Sequence, residues 1–358
     1  MINLSKPFLD NQDAMAAFKA VESGWLTQNG TDVKLMEVTL NEYFREKTEC
    51  NEYETTTTSN GTTALHLALI AAGVKEGDEV IISDFSYVAV ANAVLYCNAI
   101  PIFADIDFQT WNIDFNDLRT KITNKTRAII AVDNYGREIN YEKLKAVVPN
   151  HISIIRDACE SFPFKNDFYQ MDQIVVVSFY ANKIITSGEG GAIFGSKNII
   201  EKIRILKNQG VEKSGNFEHT VLGFNYRISN LHAAIFNSQW KKKNTILRER
   251  QRVFDRYQEK IFERNSRVQT NIDATPWLFT LRIPGVDFQT IRKMLFEFGI
   301  ETRPGFTPFS QTSYLKEFFA KNNSKAHEIC REIIALPTYP ELKDKEIDFI
   351  VEKLFDCL

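Results

Sequence analysis

The stretch from Ile174 to Phe194, IVVVSFYANKIITSGEGGAIF, reads as two strands joined through a turn and a glycine-rich bend. The run Val175–Val177 is consecutive and β-branched, which favours a strand buried on both faces. Lys183 follows the end of that strand, before the glycines of Gly188–Gly191 let the backbone reverse. Because an unpaired buried ammonium is costly, a lysine here is expected to be paired, deprotonated or covalently used. Lys183 is therefore a candidate Schiff-base lysine, and this stretch alone leaves a solvated turn lysine open as the alternative.

The composition indicates a globular protein. The chain has 358 residues, of which 44% are hydrophobic and 25% charged, so there is room for a large core and two domains. The formal net charge of -3 gives no general attraction to nucleic acid or to an anionic membrane, and neither partner is predicted. The 5 cysteines are scattered without the spacing of a metal site, which fits a reducing cytoplasm and no metal. We find no signal peptide and no apolar run that could span a bilayer, so a cytoplasmic protein is predicted.

Strand and helix patterns alternate through the first two thirds of the chain. Short apolar strands are predicted at 79–83, 100–104, 128–132 and 152–156, with helical patterns between them. This alternation predicts an α/β fold with a large, mostly parallel sheet covered by helices on both faces. We expect residues 1–240 to form the large domain. Residues 241–358 are predicted to form a smaller α/β domain, with strands near 277–282 and a helix near 324–334.

The segment Ser59–Leu69, SNGTTALHLAL, predicts a helix with a polar start. Ser59 or Asn60 can cap this helix, and Gly61 allows a ligand to approach the backbone closely. The free N–H groups and the helix dipole favour an anion such as a phosphate at this position. Many helices begin in this way without binding a ligand, so the segment is suggestive only in combination with others.

Four such features combine into one chemistry. In parallel sheets ligands gather at the carboxyl ends of strands, and Tyr87, Asp157 and Lys183 all follow or end predicted strands. A lysine, a carboxylate for a pyridine nitrogen, an aromatic ring for stacking and a phosphate-binding helix start are the parts of a pyridoxal phosphate site. Asp157 as a strand-end cap and Tyr87 as a core aromatic are the ordinary alternatives.

The sequence resembles the DegT/StrS-type nucleotide-sugar aminotransferases, which are pyridoxal phosphate enzymes of the aspartate aminotransferase fold (fold type I). The resemblance covers nearly the whole chain, in the order of the family's motifs. It rests on SGWLTQNG, SNGTTALHLAL, the stretch from GDEVIISDFSYVAV to FADIDFQTWNID, NYG, RDACES, SFYANKIITSGEGGAIF, GFNYRISNLHAA, RPGFTPF and LPTYP. The wording of SNGTTALHLAL and NKIITSGEGG is most similar to the perosamine-forming branch, which aminates C4 of GDP-4-keto-6-deoxymannose.

The resemblance implies a role for individual residues. Lys183 matches the lysine that binds the cofactor and then moves a proton, whereas related sugar dehydratases carry histidine there. Asp157 matches the partner of the pyridinium nitrogen, Glu160 a contact to the region of the phenolic oxygen, and Tyr87 the stacking aromatic. Gly61, Thr62 and Ser178 match phosphate contacts. Asn225 matches a phosphate contact given by the neighbouring subunit, which implies a homodimer with shared active sites. Candidate substrate-binding residues are Trp25, Thr27, Arg227, Arg303 and Phe306.

The implied reaction moves the amino group of L-glutamate to C4 of a nucleotide-linked 4-keto-6-deoxyhexose, with the GDP sugar favoured. The product would serve the synthesis of surface polysaccharides such as the O-antigen of lipopolysaccharide. A dTDP- or UDP-linked sugar, amination at C3, and a non-catalytic regulator that binds pyridoxal phosphate are the alternatives. The sequence departs from the family at Asp133–Glu138, at Ser310, where histidine is common, and in a shortened segment after Glu160, where Asp172 could match a Gly-Asp element.

Overall fold

The computed structural model describes residues 1–48, 51–166, 173–212, 218–265, 268–319 and 325–358. Its larger sheet has seven strands, which are β1 (Tyr53–Thr58), β2 (Glu79–Ser83), β3 (Ile100–Ala104), β4 (Thr126–Val132), β5 (Ser153–Asp157), β6 (Gln173–Ser178) and β7 (Gly191–Ser196). Across the sheet they lie in the order β1-β7-β6-β5-β4-β2-β3.

The sheet is parallel except for β7. Strands β2 to β6 pair in parallel, and β7 runs antiparallel to both of its neighbours, β6 and β1. The side chains of Val175–Val177 in β6 are fully buried, as their β-branched run predicts. The register pairs Asp157 with Val176 and Ser178 with Gly191, so β5 and β6 end near each other. The predicted α/β class with a large, mostly parallel sheet is confirmed.

Helices pack on both faces of this sheet, because separate apolar clusters lie on its two sides. Asn60 begins α3 with a capping box, since its side chain accepts from the N–H of Thr63 at 2.9 Å. The helices of this part are α1 (Asn11–Glu22), α2 (Thr31–Thr48), α3 (Gly61–Ala71), α4 (Ala89–Tyr96), α5 (Phe115–Lys121), α6 (Tyr141–Val147), α7 (Lys197–Lys207) and α8 (Asn230–Lys241).

A second, antiparallel sheet has four strands in the order β10-β11-β9-β8 and its own apolar core. Ile2, at the start of the chain, pairs with Ile300 and packs against this core. The predicted domain boundary at 240/241 stays a prediction. The elements are α9 (Lys243–Arg264), β8 (Gln269–Thr270), β9 (Thr280–Arg282), α10 (Phe288–Glu297), β10 (Arg303–Pro304), α11 (Lys325–Ile329), β11 (Ile333–Ala335) and α12 (Asp344–Asp356).

Two predicted elements of this part differ in the structure. The helix predicted over 324–334 is wrong in its second half, because Ile333–Ala335 forms the buried strand β11 between β9 and β10; residue 324 lies outside the described residues. The strand predicted from Trp277 begins only at Thr280. Trp277 is drawn out of the sheet because its N–H donates to the carbonyl of Thr275 and its own carbonyl accepts from Arg250. Within the described ranges, no helix has both the length and the apolar composition needed to cross a bilayer.

Candidate active site

A pocket of about 710 Å³ opens at the carboxyl ends of three neighbouring strands. Val132, Asp157 and Ser178, the last residues of β4, β5 and β6, all line it. Residues from the smaller sheet and its loops close the opposite side, so both sheets contribute to one site. The predicted residues that line this pocket are Gly61, Thr62, Tyr87, Asp157, Glu160, Ser178, Lys183, Arg303 and Phe306.

The first turn of α3 forms one wall. The side chain of Asn60 accepts from the N–H of Thr63. Gly61 and Thr62, whose N–H groups lie between these two residues, line the pocket. A Cβ on Gly61 would lie 3.0 Å from Cβ of Ser178 and 3.1 Å from Sγ of Cys159. Glycine therefore lets the helix start pack directly against the end of β6, and an anion placed there would meet the positive end of the helix dipole.

Two buried carboxyl groups, those of Asp157 and Glu160, also line the pocket. Asp157 is 5% exposed and Glu160 is 6% exposed. Oδ1 of Asp157 accepts from the N–H of Cys159 at 3.1 Å. Burial raises the pKa of Asp157, and it raises the pKa of Glu160 to about 7, while the charge of Lys183 acts in the opposite direction on both. A cation between these carboxyl groups would offset the cost of ionising them.

Lys183 lies in the turn that links β6 to the glycine bend. Its N–H donates to the carbonyl of Tyr180 at 2.9 Å, and Ile184 and Ile185 are buried, so its backbone is fixed. Its Nζ lies 4.4 Å from the centre of the Trp277 ring. In the part of the chain that the structure describes, Lys183 forms no ion pair within 4.0 Å. The amine is therefore in the pocket and is not held by a carboxylate there.

Tyr135 lines the pocket, although it was not predicted as a site residue. Its backbone is left-handed, with φ of 53°, and its N–H donates to Oε2 of Glu160 at 2.7 Å. Its ring stacks on Phe306 at 4.6 Å and its Oη accepts from the N–H of Phe306 at 3.0 Å. The carbonyl of Tyr135 accepts from Asn271 at 2.9 Å, so this residue joins the carboxylate Glu160 to the smaller sheet. The NYG motif was the one sequence feature that pointed to Tyr135, but a three-residue motif does not identify partners that are distant in the sequence.

Residues from the C-terminal part of the chain also line the pocket, among them Trp277, Arg303 and Phe306. Phe306 stacks on Tyr135, and Arg303, the first residue of β10, is exposed. Trp277, which the sequence reading treated only as a strand residue, donates from Nε1 to the carbonyl of Asn182 at 2.9 Å. Glu189, for which the sequence suggested no role, also lines the pocket and is exposed.

Four predicted residues do not line this pocket. Trp25 and Thr27 are exposed in a loop that is tied to α8, because the N–H of Asn230 donates to the carbonyl of Leu26 at 2.9 Å. Asn225 and Arg227 lie beyond the end of α7, where Nε of Arg227 donates to Oδ1 of Asn225 at 3.0 Å. The single chain therefore does not bring these four side chains to Lys183, and their roles stay predictions.

Within the segment Asp133–Glu138, where the sequence departs from the family pattern, Tyr135 lines the pocket, whereas Asp133 and the separate departure Ser310 do not. Ser310 is buried behind the pocket, where its N–H donates to Asp84 at 3.3 Å and its hydroxyl makes a short hydrogen bond with Nε2 of His327. Asp133 pairs with the buried Arg156 at 2.8 Å and accepts from Ser161. These contacts support the strand ends. Asp172 lies outside the described residues.

The donor set fits pyridoxal phosphate. The N–H groups of Gly61 and Thr62 at the start of α3 suit a phosphate, the amine of Lys183 suits an aldehyde, and the exposed ring of Tyr87 offers a face for stacking. The burial that raises the pKa of Asp157 is offset when a protonated ring nitrogen lies beside it. Each part of the cofactor thus has a chemically matched group in one pocket.

Comparisons with known proteins agree with this arrangement. Residues 7–355 match the DegT/DnrJ/EryC1/StrS aminotransferase family. The chain is 32% identical over 368 residues to the GDP-perosamine synthase of Escherichia coli O157:H7, covering 99% of this chain and 97% of that protein. It is also 32% identical over 379 residues to the GDP-perosamine synthase of Vibrio cholerae, covering 100% of both.

Solved structures share the whole fold. Helicobacter pylori PseC, an aminotransferase involved in the biosynthesis of pseudoaminic acid, superposes with a TM-score of 0.89 at 25% identity, covering 99% of this chain and 98% of that one. The predicted fold, activity class and cofactor are confirmed. The chain thus belongs to the DegT/DnrJ/EryC1/StrS aminotransferase family, as a pyridoxal phosphate-dependent sugar aminotransferase.

Proposed function

We propose that this protein moves the amino group of L-glutamate to C4 of a nucleotide-linked 4-keto-6-deoxyhexose, with GDP-4-keto-6-deoxymannose as the favoured acceptor. The observation that carries the proposal is the amine of Lys183 in one pocket with Asp157, Glu160 and the start of α3. The choice of acceptor is supported by the two GDP-perosamine synthases that match the chain over its full length. Such a product would serve surface polysaccharides, including the O-antigen of lipopolysaccharide, and the enzyme would work in the cytoplasm.

The residues of the pocket divide the work of this reaction. When bound, pyridoxal phosphate supplies an aldehyde that takes up the amino group and a ring that accepts electrons. Nζ of Lys183 takes a proton from the α-carbon of the amino donor and delivers one to C4 of the sugar. A carboxylate oxygen of Asp157 holds the proton on the ring nitrogen. The N–H groups of Gly61 and Thr62, with the hydroxyl of Ser178, bind the phosphate.

Three further side chains orient the reactants. Glu160 contacts the region of the phenolic oxygen, and the N–H of Tyr135 keeps the carboxyl of Glu160 in place at 2.7 Å. The exposed ring of Tyr87 would stack on one face of the pyridoxal phosphate ring. Arg303 is exposed on the pocket wall, and both proposed substrates carry negative charge, as carboxylate or diphosphate. Arg303 is therefore the side chain that we assign to a substrate anion.

We also propose a homodimer with shared sites. Large apolar side chains are solvent-exposed in the single chain, including Tyr87 of the pocket at 62%, Trp25 at 59% and Leu222 at 86%. Asn225 and Arg227 lie away from the pocket of their own chain, as residues that serve a neighbouring site would. Sedimentation of the purified protein tests the assembly, and a monomer at working concentration would refute it.

The direct test is a panel of acceptors. The protein is incubated with L-glutamate and with GDP-, dTDP- and UDP-linked 4-keto or 3-keto deoxysugars, and aminated products are identified by mass. We expect the GDP-4-keto-6-deoxymannose reaction to be the fastest. A faster dTDP or UDP reaction, or amination at C3, would replace the proposed acceptor. No product from any sugar, with an intact visible cofactor band, would favour the regulatory alternative.

Substitutions of Lys183 test its proposed roles in binding the cofactor and in moving the proton. Lys183→Ala should lower turnover by ~10²–10⁴-fold, because it removes the group that moves the proton. It should also remove the visible absorbance of the lysine-bound cofactor. Lys183→Arg is the control, since it keeps the charge but not the nucleophile, and it should lose the same absorbance. Turnover of Lys183→Ala close to that of the wild type would contradict the assignment.

A further inference from the structure

Trp277 presents a fixed aromatic surface to the amine of Lys183. Nζ of Lys183 lies 4.4 Å from the centre of the indole ring, within the distance at which a cation is attracted to a ring face. The ring lines the pocket and is 4% exposed. Lys183 is half-buried, so its ammonium is only partly desolvated, and we expect an attraction between that of an exposed and that of a fully desolvated cation–π contact.

Three hydrogen bonds hold this ring in place. Nε1 of Trp277 donates to the carbonyl of Asn182 at 2.9 Å, directly beside Lys183 in the chain. The N–H of Trp277 donates to the carbonyl of Thr275 at 2.8 Å. The carbonyl of Trp277 accepts from the buried guanidinium of Arg250 at 2.6 Å. The ring therefore has a defined position relative to the backbone of the reactive lysine.

The side chain of Lys183, unlike the ring of Trp277, is free to change its conformation. Its backbone is fixed by the bond to Tyr180 and by two buried isoleucines, so only the four-carbon side chain can swing. A buried ion pair would hold the ammonium tightly, because separating such a pair leaves an uncompensated charge. The described residues give Lys183 no such pair, although Asp157 and Glu160 lie near enough for its charge to oppose part of the rise that burial causes in the pKa of both.

We propose that Trp277 is a positioning residue for Lys183. The indole face receives the ammonium whenever the amine is not bound to the cofactor, and so holds Nζ beside the pocket for the proton transfers. Because a cation–π contact is weaker than a buried ion pair, Nζ leaves the ring face without separating opposite charges. This inference rests on the proposed proton-moving role of Lys183 and adds Trp277, whose Nε1 donates to the neighbouring Asn182, to that role.

The contact is tested first by fluorescence of the cofactor-free full chain, without any reaction. An ammonium over an indole quenches its emission, so Lys183→Met should raise the tryptophan emission in the wild-type background. The same substitution should have no effect in a Trp277→Leu background. The matched control is Lys243→Met, which removes a lysine at 4.8 Å from the ring of Trp240, away from the pocket. That control should change the emission equally in both backgrounds. Equal responses of Lys183→Met in the two backgrounds would overturn the proposal.

The positioning role is tested by proton movement in the holoenzyme. The readout is the rate at which solvent deuterium enters the α-carbon of the amino donor, which does not require the correct sugar. Trp277→Leu should slow this exchange by about 3- to 30-fold with an unchanged KM for the donor, and Trp277→Phe should recover part of the rate. Trp240→Leu is the control for loss of a large packed ring and should exchange at the wild-type rate.

The outcomes separate this proposal from the proposed function. If Trp277→Leu and Trp277→Phe slow exchange equally, or if KM rises in proportion, the ring acts only by packing and the positioning role is overturned. If no sugar is aminated but exchange and fluorescence behave as expected, the acceptor is wrong and the role of Trp277 stands. If the fluorescence shows the contact but exchange in Trp277→Leu is unchanged, the contact has no role in proton transfer.

Discussion

Replacing Glu160 by glutamine should stabilise the cofactor-free protein, and the gain should grow with pH. Glu160 is 6% exposed, and burial raises its pKa from 4.5 to about 7, despite the charge of Lys183 and the N–H of Tyr135. The folded state therefore holds a proton that the unfolded chain has already lost. Glutamine keeps a carbonyl oxygen for the N–H of Tyr135 and removes the titration.

The sign and size follow from linkage. Because the pKa is raised in the folded state, the stability due to the neutral carboxyl is complete below pH 4.5 and is lost as the pH rises through about 7. At about 1.36 kcal/mol per pKa unit, the whole shift corresponds to about 3 kcal/mol. Between about pH 5 and about pH 8, the advantage of Glu160→Gln over the wild type should increase by about 2.5 kcal/mol.

Urea unfolding of both proteins at these two pH values measures the difference directly. Other titrating groups affect both proteins alike, so they cancel in the comparison. Glu189→Gln is the matched control, because it removes an exposed carboxylate from the same pocket and should change stability by no more than about 0.5 kcal/mol. An advantage of Glu160→Gln that is the same at both pH values would refute the reasoning, since the carboxyl would then ionise alike in both states.

Three other substitutions, with one control substitution, test the residues that form the site. Gly136→Ala should destabilise the protein by more than about 2 kcal/mol in urea, because φ is +79° and a Cβ would lie 2.3 Å from the carbonyl oxygen of Thr275; Gly77→Ala, with φ of +81° and nothing within 4 Å, should cost only about 1 kcal/mol. Asn60→Ala should cost about 1 kcal/mol by removing the cap of α3 and should increase cofactor loss on dialysis, and unchanged retention would contradict the phosphate assignment. Asp157→Asn should lower amino transfer by about 10²- to 10³-fold in a product assay while far-ultraviolet circular dichroism stays the same.

The parts of the site that follow from local sequence were predicted. Ser178 ends a strand with a continuous apolar run, and Asp157 ends a short strand that contains Ile154 and Ile155. Their place at one edge follows from the parallel order of the sheet. The start of α3 is equally local, because its cap and its first turn are four consecutive residues. The family resemblance added the roles of Glu160, Arg303 and Phe306, and all three line the pocket.

The parts that depend on long-range contacts were not predicted. Tyr135 and Trp277 are held in the site by hydrogen bonds to residues that are distant in the sequence. Trp277 bonds to Asn182, 95 positions away, and Tyr135 bonds to Phe306, 171 positions away. No local pattern encodes such partners. Ile333 and Ile334 of β11 were predicted as helical because they follow the helical residues Lys325–Ile329 after only three positions, and pairing with β9 and β10 makes them part of a strand.

The helix α9 limits how the two sheets can move. It runs without interruption from Lys243 to Arg264, and it carries Ile246 into the core of the large sheet and Val253 to Ile261 into the core of the small one. Domains usually separate at flexible linkers, and hinges absorb motion at a few loop residues. Here a swing of one sheet against the other would have to bend a continuous helix and shift Arg250, which holds the carbonyl of Trp277. We therefore expect the two sheets to move as one rigid unit. Substrates would then enter and leave through the open mouth of the pocket, past Arg303 and Tyr87.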